Sequence, residues 1–299
     1  MRVAFSPIYH YQLPPKHRFP MAKYDLLPEQ LLYEGTVTKA SFFAPERLTE
    51  KELLLTHTSE FWRKLQAQEL SRKEIRDIGF PLSLKLVDRG LHIAQGTLTC
   101  ARYARQEGIA LNIAGGTHHS FADRGEGFCV FNDIAIAANV MLVSGEISKV
   151  VVIDLDVHQG NGTAKLFEGD PRVFTLSFHG ARNYPTRKMT SDLDLGFEDK
   201  TEDEFYLNEV ARIIPKVLDE QQPNMVFYLS GVDVLAADKL GRLSLTPQGC
   251  RERDRLVLQA CHDRNLPVAV SMGGGYAERL ATIIDAHANT FRVAHEVFG

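Results

Sequence analysis

Within KVVVIDLDVHQGNG, residues 149–162, Asp154, Asp156 and His158 stand at alternate positions with only Leu155 and Val157 between them. Two carboxylates held together beside an apolar run are unfavourable unless a cation or hydrogen-bond donors compensate. An Asp-x-His pair offers one oxygen and one nitrogen donor, which suits Zn²⁺ at roughly 2.0–2.2 Å per bond. The alternative for this run alone is a strand end opening into solvent. Three further stretches bear on the choice: GGTHHS with His118 and His119, GVDV with Asp233, and GGGY with Tyr276. Three protein ligands leave a coordination position for water. A neighbouring imidazole can take the water's proton and return one to a leaving nitrogen. A phenol can hydrogen-bond a developing oxyanion. Taken together these parts fit metal-assisted hydrolysis. No Gly-x-Ser-x-Gly elbow is present, and Gly273–Gly275 lack the Lys and Ser/Thr of a phosphate loop, so an amide or ester suits the set better than a phosphate.

The elements that must position these groups alternate along the chain. Strands are predicted over Arg2–Ser6, Ile109–Ala114, Lys149–Val157, Arg172–Phe178, Met225–Ser230 and Pro267–Met272. Helices are predicted over Leu48–Gln68, Lys85–Gln106, Asp133–Val143, Gly162–Phe167, Glu202–Glu220, Pro247–Asn265 and Tyr276–Phe298. Residues 8–47 and 179–201 read as long irregular stretches. Such alternation predicts a largely parallel sheet with helices on both faces. Side chains alternate along a strand, so Asp154, Asp156 and His158 are expected on one face near its carboxyl end. The histidine pair, Asp233 and Tyr276 also follow strands. In an open parallel sheet, that edge is where sites form.

Composition narrows the class. The chain has 299 residues, 44% of them hydrophobic and 24% charged, enough for one large α/β domain or two modest ones. A formal net charge of -4 gives no footprint for nucleic acid and no basic face for anionic membrane. The four cysteines, Cys100, Cys129, Cys250 and Cys261, form no CxxC and suit a reducing, cytoplasmic setting. The first residues, MRVAFSPIYH, read as a strand rather than a signal peptide, and no run approaches membrane length.

GGTHHSFADRGEGFCVFND, DLDVHQGNGT, YLSGVDVLAADKLGRLSLT and SMGGGY occur in order and together resemble the zinc-dependent histone deacetylase family. HRFPMAKY, IGFP at 78–81 and SDLDLGFEDKTEDEFY at 191–206 are similar to the class IV branch and its bacterial relatives. The resemblance implies one catalytic domain over residues 1–299 with the arginase/deacetylase fold, a parallel sheet of about eight strands flanked by helices on both faces. It implies Asp156, His158 and Asp233 as zinc ligands, His119 as general base and acid, and His118 as its electrostatic partner. Tyr276 becomes the carbonyl-polarising phenol. Asp154 is implied to bond His118 and to share a monovalent-cation site, usually K⁺, with backbone carbonyls around Asp156 and His158 and with Ser177 and Phe178. Gly127, Phe128, Tyr184 and Gly274 are implied to line the acyl-lysine tunnel, and His17 and Phe19 its rim. The partner so implied is an acylated lysine in a protein or peptide. Where many members have an Asp beside the catalytic imidazole, this chain has Asn161, as do the class II and class IV branches. The histidines His10, His57, His92, His179, His262, His287 and His295 are read as structural or surface residues.

Four functions compete. A lysine deacylase uses every group named. An amidohydrolase of small acylated amines, such as acetylpolyamines, would carry a tunnel-narrowing insertion, and none is present. A binuclear manganese ureohydrolase needs further bridging carboxylates, and after His158 the next acid is Glu168. A non-catalytic acyl-lysine binding module has no use for a complete acid–base set. Iron remains an alternative to zinc for such donors.

Overall fold

The computed structural model describes every residue, Met1–Gly299. Its strands are β1 (Arg2–Ala4), β2 (Phe42–Phe43), β3 (Ile109–Asn112), β4 (Val150–Asp154), β5 (Val173–Gly180), β6 (Leu193–Phe197), β7 (Met225–Ser230) and β8 (Val268–Met272). All pair in parallel in the order β2-β1-β3-β8-β7-β4-β5-β6. Strands covered by helices on both faces read as near-continuous apolar runs, and β3, β4, β7 and β8 are buried throughout, with polar residues only near their carboxyl ends. The helices are α1 (Lys23–Tyr33), α2 (Glu50–Leu53), α3 (Ser59–Ala67), α4 (Arg72–Ile78), α5 (Leu84–Glu107), α6 (Asp133–Val143), α7 (Asn161–Leu166), α8 (Asp203–Gln221), α9 (Pro247–His262) and α10 (Leu280–Phe298). One helical layer is built on α5, which packs on β1, β3, β8 and α6; the other has α10 against α1, α9 and β3. The result is a single α/β domain around one apolar core.

The sequence-based boundaries need several corrections. The helix predicted over Leu48–Gln68 is two helices. Thr49 caps α2 by accepting from the Glu52 N–H, and Thr58 caps α3 by accepting from the Phe61 N–H, so the chain restarts rather than continues. The Ser71–Glu74 capping box starts α4, which periodicity alone missed because the helix is only seven residues long. Stretches 8–47 and 179–201, read as irregular, contain α1 with β2, and β6, respectively. The last helix begins at Leu280, leaving Tyr276 in the loop after β8.

The shared strand face expected for Asp154, Asp156 and His158 is also corrected. β4 ends at Asp154. The Asp156 N–H donates to Asp154 Oδ1 at 3.1 Å, and the His158 N–H to Asp156 Oδ1 at 2.9 Å. Each carboxylate thus bonds the backbone two residues on, replacing the ladder with successive tight turns. The three side chains still gather beyond the strand end, but turn chemistry rather than pleat gathers them.

Four central strands, β3, β8, β7 and β4, deliver every candidate catalytic group from their carboxyl ends. A buried guanidinium ties two of these ends together. Arg253 Nη1 donates to Gly231 O at 2.5 Å and to Leu155 O at 3.2 Å, joining the loops that follow β7 and β4. Its Nη2 donates to Asp254 Oδ1 at 2.8 Å, and that carboxylate also accepts from Tyr228 and Thr290. Both charged residues are fully buried. Removing one partner of such a pair strands the other, at a cost of roughly 3–5 kcal/mol. Arg253→Met should therefore lower the urea unfolding free energy by about that amount; a loss under about 1 kcal/mol would show that the guanidinium holds nothing together.

Candidate active site

Asp156, His158 and Asp233 are buried, and their donor atoms lie within 4.8 Å of one another. His158 Nδ1 is 3.0 Å from Asp156 Oδ1 and 3.1 Å from Asp233 Oδ2. Donors around a tetrahedral Zn²⁺ stand roughly 3.3 Å apart, so the spacing is close to what such an ion needs. The opposite carboxylate oxygens are already engaged: Asp156 Oδ2 accepts from the Gly274 N–H at 2.7 Å, and Asp233 Oδ1 from the Val157 N–H at 3.0 Å. Electrostatics point the same way. Burial and then the charge of Asp156 push Asp233 up to about 7. Burial opposes charge on His158, but its hydrogen bonds to the Asp156 and Asp233 carboxylates prevail and raise it to about 10. With its own groups alone, the cluster retains protons to limit its charge. The donor set fits a divalent cation.

The two neighbouring imidazoles are supported unequally. Their ring centroids are 4.1 Å apart. His118 Nδ1 donates to Asp154 Oδ2 at 2.6 Å; burial disfavours its charge, yet the Asp154 carboxylate outweighs this and raises its pKa. His119 Nδ1 donates to Asn161 Oδ1 at 2.7 Å. Burial, followed by the charges of His118 and His158, holds His119 well below its usual value, since a neutral amide returns little. His119 is thus the neutral member, with Nε2 free to accept a proton.

The wall residues also converge. Phe128 and Tyr276 have ring centroids 6.0 Å apart, and Tyr276 lies 6.4 Å from His158. Burial and the nearby Asp233 and Asp156 charges keep the Tyr276 phenol protonated, its pKa well above the usual value. The Tyr184 ring stands perpendicular to His119 at 4.9 Å. Gly127 and Phe128 have φ of +52° and +69°. That backbone is costly for a phenylalanine and is held by bonds from the Gly127 and Phe128 N–H groups to Asp77 O and Ile78 O, at the end of α4. Ser177 lies opposite Asp154 in the β4–β5 register, and its hydroxyl hydrogen-bonds His179 Nδ1 at 3.0 Å; Phe178 follows, fully buried. His17 donates from Nε2 to Gly79 O, while Phe19 packs beneath Phe128 at 5.2 Å rather than at the rim.

Several residues that position the site had no assigned role in the sequence. Asp133 accepts from the Gly116 and Thr117 N–H groups and the Thr117 hydroxyl, fixing the loop that leads to the histidine pair. Glu126 accepts from Asn161 Nδ2 at 3.5 Å and from the Tyr184 hydroxyl at 2.9 Å, turning the Asn161 oxygen toward His119. Asp238 accepts from the Tyr276 N–H, and buried Lys23 donates to Gly273 O. Asp133, Glu126 and Asp238 sit inside the quoted motifs, but only their folded contacts reveal what they hold.

The model of the histone deacetylase domain family matches residues 17–291. The chain belongs to the histone deacetylase family. It is 39% identical over 296 residues to an uncharacterized protein of Picosynechococcus sp., covering 99% of both chains. It is 29% identical over 278 residues to histone deacetylase 2 of Arabidopsis thaliana, covering 90% of this chain and 72% of that one. The crystal structure of a histone deacetylase homologue complexed with SAHA superposes with a TM-score of 0.85 at 21% identity, covering 99% of this chain and 84% of that one. The expected fold is therefore shown, and family membership supports a deacetylase-type hydrolase. No helix is long and apolar enough to cross a membrane.

In this histone deacetylase domain, Gly274 sits against the candidate metal ligands as well as the cleft. A Cβ added there would lie 1.9 Å from Asp233 Oδ2. Gly274→Ala must therefore displace the carboxylate or the loop, although no donor is removed. Zinc affinity, measured by competition with a chelator, should fall about 10–100-fold; unchanged affinity would show that the loop yields without disturbing Asp233.

Proposed function

We propose that the protein is a zinc-dependent hydrolase that removes acetyl, or longer acyl, groups from the side-chain amine of acyl-lysine in proteins or peptides. The observation that carries this reading is one cleft lined by Asp156, His158, His119 and Tyr276, with Asp233 completing an O,N,O donor triad behind it, His119 held neutral and Tyr276 protonated. Asp156, His158 and Asp233 would hold the ion. When bound, Zn²⁺ supplies Lewis acidity and a nucleophile usable at neutral pH. His119 Nε2 accepts the proton of the attacking water and returns one to the lysine nitrogen as the C–N bond breaks. The Tyr276 hydroxyl donates to the oxygen of the scissile carbonyl as it gains charge. His118, cationic beside Asp154, stabilises negative charge in the cleft without competing as base. Phe128 and Tyr184 flank the aliphatic lysine stem, and the Gly127 carbonyl accepts the amide N–H. K⁺ beside Asp154, Ser177 and Phe178 would complete the support of the β4 end. The cleft opens into a broad mouth, which favours a peptide over a small free amine.

Zinc-loaded protein assayed on lysine peptides bearing acyl groups from acetyl to myristoyl should release the free amine, with activity following metal content. Failure on every acyl group would overturn the reading. His119 must be neutral to act as base, so kcat/KM should fall as pH drops through its pKa. A carboxylate beside His119 stabilises the imidazolium and raises that pKa. Asn161→Asp should therefore move the acidic limb of the kcat/KM profile to higher pH, by about 1 unit or more for a contact charge. A limb that stays in place would remove His119 as the base.

A further inference from the structure

The mouth of the cleft carries charge that the catalytic groups do not use. A cavity of about 660 Å³ outside His119, Phe128 and Tyr276 is lined by Arg18, Arg76, Arg182 and Arg242, against only two acids, Asp77 and Glu126. Both acids are occupied: Asp77 by Lys73 at 2.7 Å, and Glu126 by Arg124 at 2.8 Å together with the Tyr184 hydroxyl. Arg182 and Arg242 are partly neutralised by Glu198 and Asp199. Arg18 and Arg76 are exposed and take part in no ion pair, and the Arg18 guanidinium lies 4.9 Å from the Phe128 ring centroid. A cationic rim on a chain of net charge -4 is a local feature, not a consequence of composition.

Resting on the deacylase reading above, we propose that this rim selects acyl-lysines flanked by Asp or Glu. A lysine side chain threaded past Phe128 leaves its peptide backbone across the mouth. Neighbouring residues advance at most about 3.6 Å each, so two or three on either side lie over the arginines. Acylation has already removed the lysine's own charge, so the flanks decide the sign of the encounter. Acidic flanks meet Arg18 and Arg76 with no competing carboxylate to displace, whereas basic flanks are repelled.

The test uses the zinc-loaded full chain and three acetyl-lysine peptides of equal length, flanked by Glu, Gln or Lys. At about 20 mM salt, kcat/KM for the Glu peptide should exceed that for the Lys peptide by about tenfold, and the ratio should shrink at least threefold at about 500 mM salt. The ratio should fall toward one in an Arg18→Gln/Arg76→Gln variant and invert in Arg76→Glu. Fluorescence anisotropy with the same peptides reads the preference without turnover. Absent turnover with an acid preference in binding would overturn the deacylase reading and keep the rim assignment. Equal kcat/KM and equal binding in the wild type would overturn the rim assignment, with no need of a variant. A single-stranded oligonucleotide displacing the Glu peptide as well as excess Glu peptide does would also overturn it, by making the rim a general polyanion surface.

Discussion

Three carboxylates, Asp154, Asp156 and Asp233, converge where no lysine or arginine side chain contacts them, and the rest of the site is arranged around that excess of negative charge. His118, its pKa raised by the Asp154 carboxylate, is favoured to carry one compensating positive charge. A divalent cation on Asp156, His158 and Asp233, as proposed above, would offset the other two and leave His158 neutral as a ligand. The excess of negative charge would then be balanced by nearby cations, which lowers the cost of burying such groups. The same balance would suit His119 to the role of base proposed above. Burial, then the charges of His118 and His158, disfavour a proton on it, and Asn161 offers no compensating anion.

The sheet supplies the positions and long-range bonds supply the aim. Parallel strands end together at one edge, so the segments after β3, β4, β7 and β8 meet although they are distant in sequence. Arg253 links two of these segments through backbone carbonyls, and Asp133 and Asp238 hold the loops of the histidine pair and of Tyr276. The strained Gly127–Phe128 turn leans on α4, and a Cβ on Gly79 would press against the Phe128 ring at 2.9 Å. A short helix with no candidate catalytic residue therefore shapes the wall of the cleft.

Much of this was legible before the fold was known. Buried parallel strands are apolar at nearly every position, so β3, β4, β7 and β8 announce themselves, and the donors that follow them stand out by contrast. β2 and β6 did not: one has two residues, and the other alternates between exposed and partly buried side chains at the sheet edge. The break between α2 and α3 and the start of α4 were written in Thr49, Thr58 and Ser71 as caps, but the apolar period across Thr49 and Thr58 hid the first signal and the shortness of α4 the second. Glu126 and Arg253 were not readable as site residues, because their partners are 35, 58, 98 and 22 residues away.

The most direct measurement is anomalous X-ray diffraction at the zinc edge from crystals of the zinc-loaded protein, with activity measured on the same preparation. One peak per chain is expected, roughly 2.0–2.2 Å from His158 Nδ1 and from one oxygen each of Asp156 and Asp233. An active preparation whose crystals show no peak among these three side chains, or show it on other donors, would contradict the charge balance on which the site is built.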